Sequence, residues 1–288
     1  MAKIAFTKMH GAGNDYIYID CFAFPFDFDP SDLAKKMSPR HFSVGGDGVV
    51  LILPSEVADA KMRMFNLDGS EGKMCGNAIR CVAKYLSDHG LTDKSVITVE
   101  TLSGIKTLRL FKADGRVVRV SVDMGKAVFT PQAIPVLFNG DEMVDEPVTV
   151  LGKEYRMTAV SMGNPHAVIF TSEVKDLDLA AMGPTFERLP IFPERVNTEF
   201  VEVVDESTLL MRVWERGSGE TYACGTGACA TVAAAVKTGR VKADGEITVR
   251  LLGGDLSIKV ATDYTVTMTG GATEVYQGVY DYDKDQGE

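Results

Sequence analysis

Two cysteines in matching sequence surroundings carry the clearest chemical signal in the chain. Cys75 and Cys224 each stand directly before a glycine and an apolar, helix-like run. A helix N-terminus can lower the pKa of a cysteine from its ordinary value of about 8.5, because the positive end of the helix dipole favours the thiolate. A thiol and a thiolate together meet the needs of general acid and general base catalysis. We therefore predict that the two residues transfer protons as a pair.

The cysteines belong to an internal repeat, which is the first feature to look for in a chain of this length. Four pairs of segments recur in the same order at an offset of 149 or 150 residues: Gly13-Asn14 and Gly163-Asn164, Cys75-Gly76 and Cys224-Gly225, Gly90 and Gly239, Ile97-Thr98-Val99 and Ile247-Thr248-Val249. We predict two copies of one domain. The first is residues 1–122 with a C-terminal strand at about 270–288, the second is residues 123–269, and the active site lies in the cleft between them.

Most of each half is predicted to be β-strand, because short apolar segments alternate with turns rich in Gly and Asp. One central helix in each half begins at the cysteine, and the second of these, Ala228–Val236, is apolar nearly all round and therefore buried. The expected fold is α+β, with two pseudo-symmetric domains, each a mainly antiparallel sheet or barrel wrapped around a central helix. Shorter helices are predicted at Ser31–Met37 and Leu177–Phe186, a connector at Pro131–Val150, and a frayed tail at Asp281–Glu288.

Composition excludes several classes of function. A net charge of -10 among 288 residues, without a Lys/Arg cluster, argues against nucleic acid as a partner. No apolar run is long enough to span a bilayer, and the N-terminus turns polar too early for a secretory signal, so we expect no membrane partner and a cytoplasmic location. Five cysteines without a zinc-ligand spacing predict neither a disulfide framework nor a metal site.

A duplicated domain could place the two thiols on opposite sides of one substrate carbon. Inversion at carbon needs this arrangement, since one group removes the α-proton and the other delivers a proton to the far face. The backbone N–H groups of Gly76-Asn77 and Gly225-Thr226, at the two helix N-termini, could bind the substrate carboxylate and stabilise the developing charge. The residues thus predict an epimerase or racemase that needs neither cofactor nor metal.

The chain resembles the diaminopimelate epimerase family from end to end. Six ordered motifs carry the resemblance: Lys8-Met9-His10-Gly11-Ala12-Gly13-Asn14-Asp15, Phe65-Asn66-x-Asp68-Gly69-Ser70, Cys75-Gly76-Asn77-Ala78-x-Arg80-Cys81, Ser161-Met162-Gly163-Asn164-Pro165-His166, Val196-Asn197, and Trp214-Glu215-Arg216-Gly217 leading to Cys224-Gly225-Thr226-Gly227. The resemblance implies interconversion of LL- and meso-2,6-diaminopimelate without pyridoxal phosphate, for lysine and peptidoglycan synthesis, by a homodimer.

The resemblance also implies roles for individual residues. Cys75 and Cys224 would be the acid and base thiols, and His166 with Glu215 would tune them and hold the reacting amino group. Ligands for the distal end of the substrate would be Asn66, Asn164, Asn197 and Arg216. Ligands near the reacting carboxylate would be Asn14, Asn77 and the amides of Gly225 and Thr226.

Two other functions stay open from the sequence. Another cofactor-independent racemase of the same fold, such as a proline racemase relative, would use the same two thiols. A dithiol redox protein would instead join Cys75 to Cys224 in a reversible disulfide, although redox pairs usually lie close together in sequence. One departure from the family concerns Gly48, where some members carry glutamine. Either backbone, water or a neighbour replaces that side chain, or Asp47 beside it has a structural turn role; we assign Gly48 no role.

Overall fold

The computed structural model describes residues 2–23 and 27–282. Two compact units divide the chain, the first formed by Met1–Val122 with Gly270–Glu288 and the second by Asp123–Thr269. No helix within the described ranges is both long and apolar enough to cross a membrane.

The first unit contains most of the elements that precede residue 123. Its strands are β1 (Ala2–Gly11), β2 (Asn14–Asp20), β3 (Gly48–Leu53), β4 (Ala60–Asn66), β5 (Glu71–Gly72), β6 (Val96–Thr101), β7 (Gly104–Ala113) and β8 (Arg116–Lys126), the last of which continues past the unit boundary. Its helices are α1 (Pro30–Met37) and α2 (Gly76–Asp88).

The second unit repeats this order of elements. Its strands are β9 (Glu146–Val150), β10 (Lys153–Ser161), β11 (Pro165–Phe170), β12 (Asn197–Asp205), β13 (Thr208–Glu215), β14 (Gly219–Glu220), β15 (Glu246–Leu251), β16 (Gly254–Val260) and β17 (Thr265–Gly270), and its helices are α3 (Leu179–Glu187) and α4 (Gly225–Lys237). The final strand, β18 (Thr273–Tyr282), pairs antiparallel with β1 in the first unit.

Strand pairing follows the same series in both units. In the first unit β1 pairs antiparallel with β2, β2 parallel with β3, β3 antiparallel with β4, and β4 parallel with β6. In the second unit the same relations join β10 to β11, β11 to β12, β12 to β13, and β13 to β15. The register also agrees, since Tyr16 lies opposite Gly48 where His166 lies opposite Asn197. Each position in one unit therefore has a counterpart in the other.

One helix in each unit packs against several strands of its own unit. Helix α2 contacts β1, β2 and β7, and α4 contacts β10, β11, β12, β15 and β16. Burial of α4 is nearly complete from Gly225 to Ala235, which confirms the expectation from its apolar sequence. The small side chains of α4 occupy little space, so the surrounding strands can lie close to the backbone of the helix. The predicted α+β class, with mainly antiparallel strands, is confirmed.

The shorter predicted elements differ in detail from the structure. Helix α1 begins one residue before its predicted start, with Asp29 as its N-cap. Helix α3 begins at Leu179, two residues late, because Asp178 caps it by accepting a hydrogen bond from Ala181 N.

Two segments predicted to be irregular contain strand. The predicted connector Pro131–Val150 includes β9, where Val150 is buried and pairs with Lys153, so its proline and acidic content was misleading. The predicted frayed tail begins inside β18, because Tyr282 is buried and its hydroxyl donates to Asp32 Oδ2 at 2.6 Å. Residues 283–288 of that tail lie outside the described residues.

Gly48 occupies a position without room for a side chain. It is the first residue of β3, and an added Cβ would overlap the carbonyl oxygen of Phe65 on the neighbouring strand β4 and lie 2.9 Å from a ring carbon of Tyr16. Backbone atoms cannot move aside without disturbing the ladder between these strands. A glutamine here, as in some relatives of the family, would therefore require a different local backbone.

Replacing Gly48 by alanine should destabilise the protein by about 1–3 kcal/mol, the usual result of overpacking a closed site. Urea unfolding would measure the loss. Gly271→Ala is the matched control, because an added Cβ there meets only Val118 O, at 3.9 Å, and should leave stability nearly unchanged. Equal stability of the Gly48→Ala and Gly271→Ala variants would contradict this account of the site.

Candidate active site

Each of the two cysteines caps the N-terminus of its helix, as the sequence predicted. Cys75 precedes α2 and Cys224 precedes α4, both with extended backbone conformations. The sulfur of Cys75 accepts a hydrogen bond from Ala78 N at 3.5 Å, and that of Cys224 accepts one from Gly227 N at 3.3 Å. Capping leaves Gly76 and Gly225 as the first helical residues, with N–H groups that the helix itself does not use. A sulfur and a set of amide donors therefore lie together at each helix end.

Asn14 is the predicted site residue that lies beside Cys75. The thiol is 3.3 Å from Asn14 Oδ1, while Asn14 Nδ2 donates to Asp47 Oδ2 at 2.6 Å. Asp47 also accepts hydrogen bonds from Asp15 N and from Arg40, at 3.1 and 2.9 Å. Asp47 thus fixes the orientation of the Asn14 amide and directs its oxygen towards the thiol. Asp47 therefore has a structural role next to Cys75.

The remaining predicted residues of the first unit lie at the C-terminal end of β4 and in the first turn of α2. Asn77, in the first turn of α2, accepts a hydrogen bond from the fully buried Arg80 at 3.0 Å. Arg80 also donates to Gly76 O, so it holds the first turn in place. Asn66, at the end of β4, donates to Ser70 Oγ at 3.1 Å.

The predicted site residues of the second unit form a connected group around Cys224. Glu215 accepts a hydrogen bond from Thr221 at 2.5 Å and also hydrogen-bonds Cys224. Thr226 Oγ1 lies 3.5 Å from the Cys224 sulfur and 3.4 Å from Asn164 Nδ2. Asn164 thus lies within hydrogen-bonding distance of the threonine that contacts the thiol.

Charge and burial set the protonation of this group. Burial, followed by the negative charges of Glu215 and Glu199, raises the pKa of Cys224 well above its ordinary value, against the smaller lowering effects of Thr226 and the Gly227 amide. Burial also raises the pKa of Glu215, while hydrogen bonds from Thr221 and Cys224 oppose the rise. The helix N-terminus therefore does not lower the pKa of Cys224, because desolvation exceeds the dipole effect. Cys224 is held as the neutral thiol, the form that donates a proton.

Asn197 and Arg216 form a second connected pair. Asn197 Oδ1 accepts a hydrogen bond from Arg216 N at 2.8 Å, and its Nδ2 donates to Pro165 O at 3.1 Å. The Arg216 guanidinium donates to Glu194 O at 2.8 Å and is exposed. Asn197 thus fixes the backbone that carries Glu215 and Arg216.

Two buried carboxylates near the site were missed from the sequence. Glu199 lies on β12 against His166, and Glu187 at the end of α3 accepts hydrogen bonds from Trp214 Nε1 at 2.8 Å and Gly217 N at 3.1 Å. Both are almost fully buried. The available signal was a glutamate inside an otherwise apolar strand, Thr198-Glu199-Phe200-Val201, where a buried charge needs a partner.

In the part of the chain that the structure describes, the five cysteines form no disulfide bond. Within residues 2–23 and 27–282, no group of three or more His, Cys, Asp or Glu side chains is arranged to hold a metal ion.

Comparison with known proteins supports the resemblance seen in the motifs. A family model described as diaminopimelate epimerase matches residues 6–130 and 158–275. The diaminopimelate epimerase of Acetivibrio thermocellus is 55% identical over 277 residues, which cover 96% of this chain and 98% of that protein. That of Methanococcus maripaludis is 52% identical, over 96% of this chain and 99% of that protein. The predicted resemblance and the predicted class of enzyme, an isomerase, are confirmed.

Solved structures of more distant proteins share the fold. A PhzF-family phenazine biosynthesis protein from Bacillus anthracis superposes with a TM-score of 0.73 at 18% identity, covering 98% of this chain and 100% of that one. A hydroxyproline epimerase from Agrobacterium vitis gives a TM-score of 0.69 at 17% identity, covering 96% and 92%. At these identities the likeness concerns the fold alone.

Replacing Glu215 by glutamine should lower the pKa of Cys224, because it removes a negative charge that opposes the thiolate. The measurement is thiolate absorbance near 240 nm as a function of pH, taken as the difference between chains with Cys224 and with Cys224→Ala. The midpoint should move to lower pH in Glu215→Gln. A midpoint that stays in place or moves upward would show that this carboxylate does not act on the thiol.

Proposed function

The chain belongs to the diaminopimelate epimerase family, and from that premise we propose that it interconverts LL- and meso-2,6-diaminopimelate by a two-base mechanism that needs no cofactor. The observation that carries the proposal is the pair of capping cysteines at equivalent points of two units with the same strand pairing. Two cysteines at equivalent positions supply two proton-transfer groups, both of them thiols. In the proposed reaction, one thiol acts on each face of the reacting α-carbon.

In the proposed reaction, one thiolate removes the α-proton and the opposite thiol returns a proton to the other face. When the reaction starts with Cys224 as the protonated thiol, Cys224 is the group that delivers the proton. Cys75 is then the base, and the roles exchange in the reverse direction. The first step leaves both cysteines as thiols beside the substrate carbanion, and the second step leaves Cys224 as the thiolate, so that one turnover exchanges the states of the two cysteines.

Removal of the α-proton builds negative charge on the substrate carboxylate. The unused N–H groups at the starts of α2 and α4, from Gly76 and Asn77 and from Gly225 and Thr226, are suited to stabilise that charge. Asn14 lies beside Cys75 and completes this part of the proposed site. Glu215 is proposed to hold the reacting amino group and His166 to tune the thiol, since both lie in the Cys224 group.

The distal amino-acid end of the substrate is proposed to bind Asn66, Asn164, Asn197 and Arg216. Arg216 has an exposed guanidinium on a backbone that Asn197 fixes, and such a group can grip a carboxylate through two hydrogen bonds. A substrate with two amino-acid ends uses these residues, whereas proline does not offer a second end. Identity of 48–55% to diaminopimelate epimerases also favours this substrate over that of a proline racemase.

Incubation with LL-diaminopimelate in deuterated water, without added pyridoxal phosphate or metal, tests the reaction. Meso product with deuterium at one α-carbon, measured by NMR and mass spectrometry, is the expected result. Proline and hydroxyproline serve as competing substrates. Inversion of those compounds in place of diaminopimelate would move the assignment to a racemase of the same fold, and absence of any exchange by folded protein would remove the proposal.

Cys75→Ala and Cys224→Ala should each lower the rate of epimerisation by about 10²–10⁴-fold, the usual contribution of a general acid or base. Cys229→Ala is the matched control, since Cys229 is a buried thiol within α4. The control variant should retain most of the activity. A two-base scheme could not survive a Cys75→Ala or Cys224→Ala enzyme that turns over at close to the full rate.

The homodimer and the cytoplasmic location belong to the proposal as well. Both derive from the sequence and from the family resemblance. Light scattering coupled to size-exclusion chromatography measures the first, and cell fractionation measures the second.

A further inference from the structure

Glu199 and His166 form an ion-pairing contact with no exposure to solvent. Glu199 Oε1 lies 2.7 Å from His166 Nδ1, and both side chains are 0% exposed. The other carboxylate oxygen, Oε2, receives no hydrogen bond from any residue in the described part of the chain. A buried carboxylate with one oxygen that lacks a hydrogen bond needs a positive charge beside it, because an isolated buried anion is strongly unfavourable.

The hydrogen bonds of His166 define which ring nitrogens carry hydrogen. Nδ1 faces a carboxylate oxygen, and Nε2 lies 3.1 Å from Asn164 Oδ1. Both neighbours are acceptors, since Asn164 directs its Nδ2 to Thr226 Oγ1 at 3.4 Å. Two acceptors require two N–H donors, and only the doubly protonated imidazolium supplies them.

The chain of hydrogen bonds continues from Asn164 to the catalytic sulfur. Thr226 Oγ1 accepts from Asn164, so its own hydrogen is available to the Cys224 sulfur at 3.5 Å. That hydrogen bond favours the thiolate and opposes the effects of burial and of the carboxylates Glu215 and Glu199. Because the Glu199 carboxylate can only accept, it determines which group is the donor in each of the following hydrogen bonds.

We propose that Glu199 is a positioning residue that holds His166 in its doubly protonated form and thereby directs a chain of hydrogen bonds to Cys224. Within the described residues, the side-chain hydrogen bond of Glu199 is the one to His166. Its effect on Cys224 through this chain rests on the proposed function, whereas its effect on His166 does not.

The duplicated fold supplies an internal comparison. By register, the counterparts of His166, Glu199 and Glu215 in the first unit are Tyr16, Val50 and Asn66, none of which is charged at neutral pH. The same strand pairing is therefore compatible with an apolar residue at the Glu199 position. A buried ion pair is often no more stable than a well-packed apolar pair. The second unit thus carries charge at these positions for a reason other than folding.

The absence of a side chain at the start of α4 leaves space for the Glu199 carboxylate. A Cβ at Gly227 would lie 2.6 Å from Glu199 Oε1 and 3.2 Å from the Cys224 sulfur. Any larger residue at 227 would push the carboxylate away from its present position. Gly227 thus allows Glu199, His166 and the capping thiol to remain together.

Nitrogen-15 NMR of histidine-labelled protein tests the proposal on the wild-type chain. At pH 8 a free imidazole, with an ordinary pKa of about 6.5, is neutral; the His166 signals, assigned by their loss in His166→Gln, should instead show two protonated nitrogens. A single protonated nitrogen in the wild-type protein at pH 8 would overturn the proposal. This reading needs no substrate and no turnover, so it is decided separately from the proposed reaction.

The variant Glu199→Gln keeps the shape of the side chain and removes its charge. We expect His166 to lose one of its two protons at pH 8 in this variant. Glu187→Gln is the matched control, because it also removes a buried carboxylate of the second unit but leaves His166 alone, and its His166 spectrum should match the wild type. Retention of the doubly protonated signature in Glu199→Gln would contradict the assignment to Glu199. Should Glu199→Gln fail to fold, the wild-type spectrum alone decides.

The kinetic consequence is measured with the same variant. Glu199→Gln should lower kcat by about 10- to 100-fold, the effect of losing one charge-assisted hydrogen bond, with KM nearly unchanged because Glu199 does not contact substrate. An unchanged kcat in a variant whose His166 has lost a proton would refute the link to Cys224. If the wild-type enzyme has no epimerase activity while its His166 is doubly protonated, the proposed function fails and the assignment of Glu199 to His166 stands.

Discussion

A sulfur atom that caps a helix is the constraint on which each half of the site depends. Capping requires the sulfur to lie within hydrogen-bonding distance of the amide three residues ahead, at Ala78 in one unit and Gly227 in the other. The thiol cannot then move without opening the first helical turn. Because strands pack around α2 and α4, the helix axis is also fixed, and so is the direction in which the sulfur and the free amide donors point. Catalysis by proton transfer benefits from such a fixed donor geometry, since no reorganisation is needed during reaction.

The two units share one series of strand pairings, but the polar and charged groups around their cysteines differ. Around Cys75 the hydrogen bonds run through a neutral amide, Asn14, to Asp47 and the exposed Arg40. Around Cys224 they run through Thr226 and Asn164 to a buried imidazole and carboxylate. Duplication alone would give two thiols of equal acidity, which is unhelpful for a reaction that needs one proton donor and one acceptor at a time. The side chains at equivalent register positions remove that equality, and the pKa of Cys224 is raised by burial and by the charges of Glu215 and Glu199.

Backbone architecture was largely predictable from the sequence, whereas the charges around the site were not. The offset between Cys75 and Cys224, together with the glycine that ends each helix, predicted the repeat, the capped helices and the burial of α4 because these features depend on local pattern. Glu199 was missed because it follows Asn197 by two residues, and alternation in a strand does not tell which face a charge lies on when its partner, His166, is 33 residues away. The direction of the pKa shift of Cys224 was not predictable for a related reason, since it depends on burial and on Glu215 and Glu199 rather than on the helix end alone.

The second unit departs from the first where stability and chemistry conflict. Tyr16 and Val50 are residues that a sheet accommodates without charge, and the fold of the first unit shows that these positions tolerate them. Their counterparts, His166 and Glu199, must be desolvated together and leave one carboxylate oxygen without a hydrogen bond. Natural sequences break local rules of this kind mainly at functional sites, where the loss is offset elsewhere in the structure. The offset here is the apolar packing of α4 and the sheet around it, whose buried residues surround the ion pair beside the Cys224 thiol.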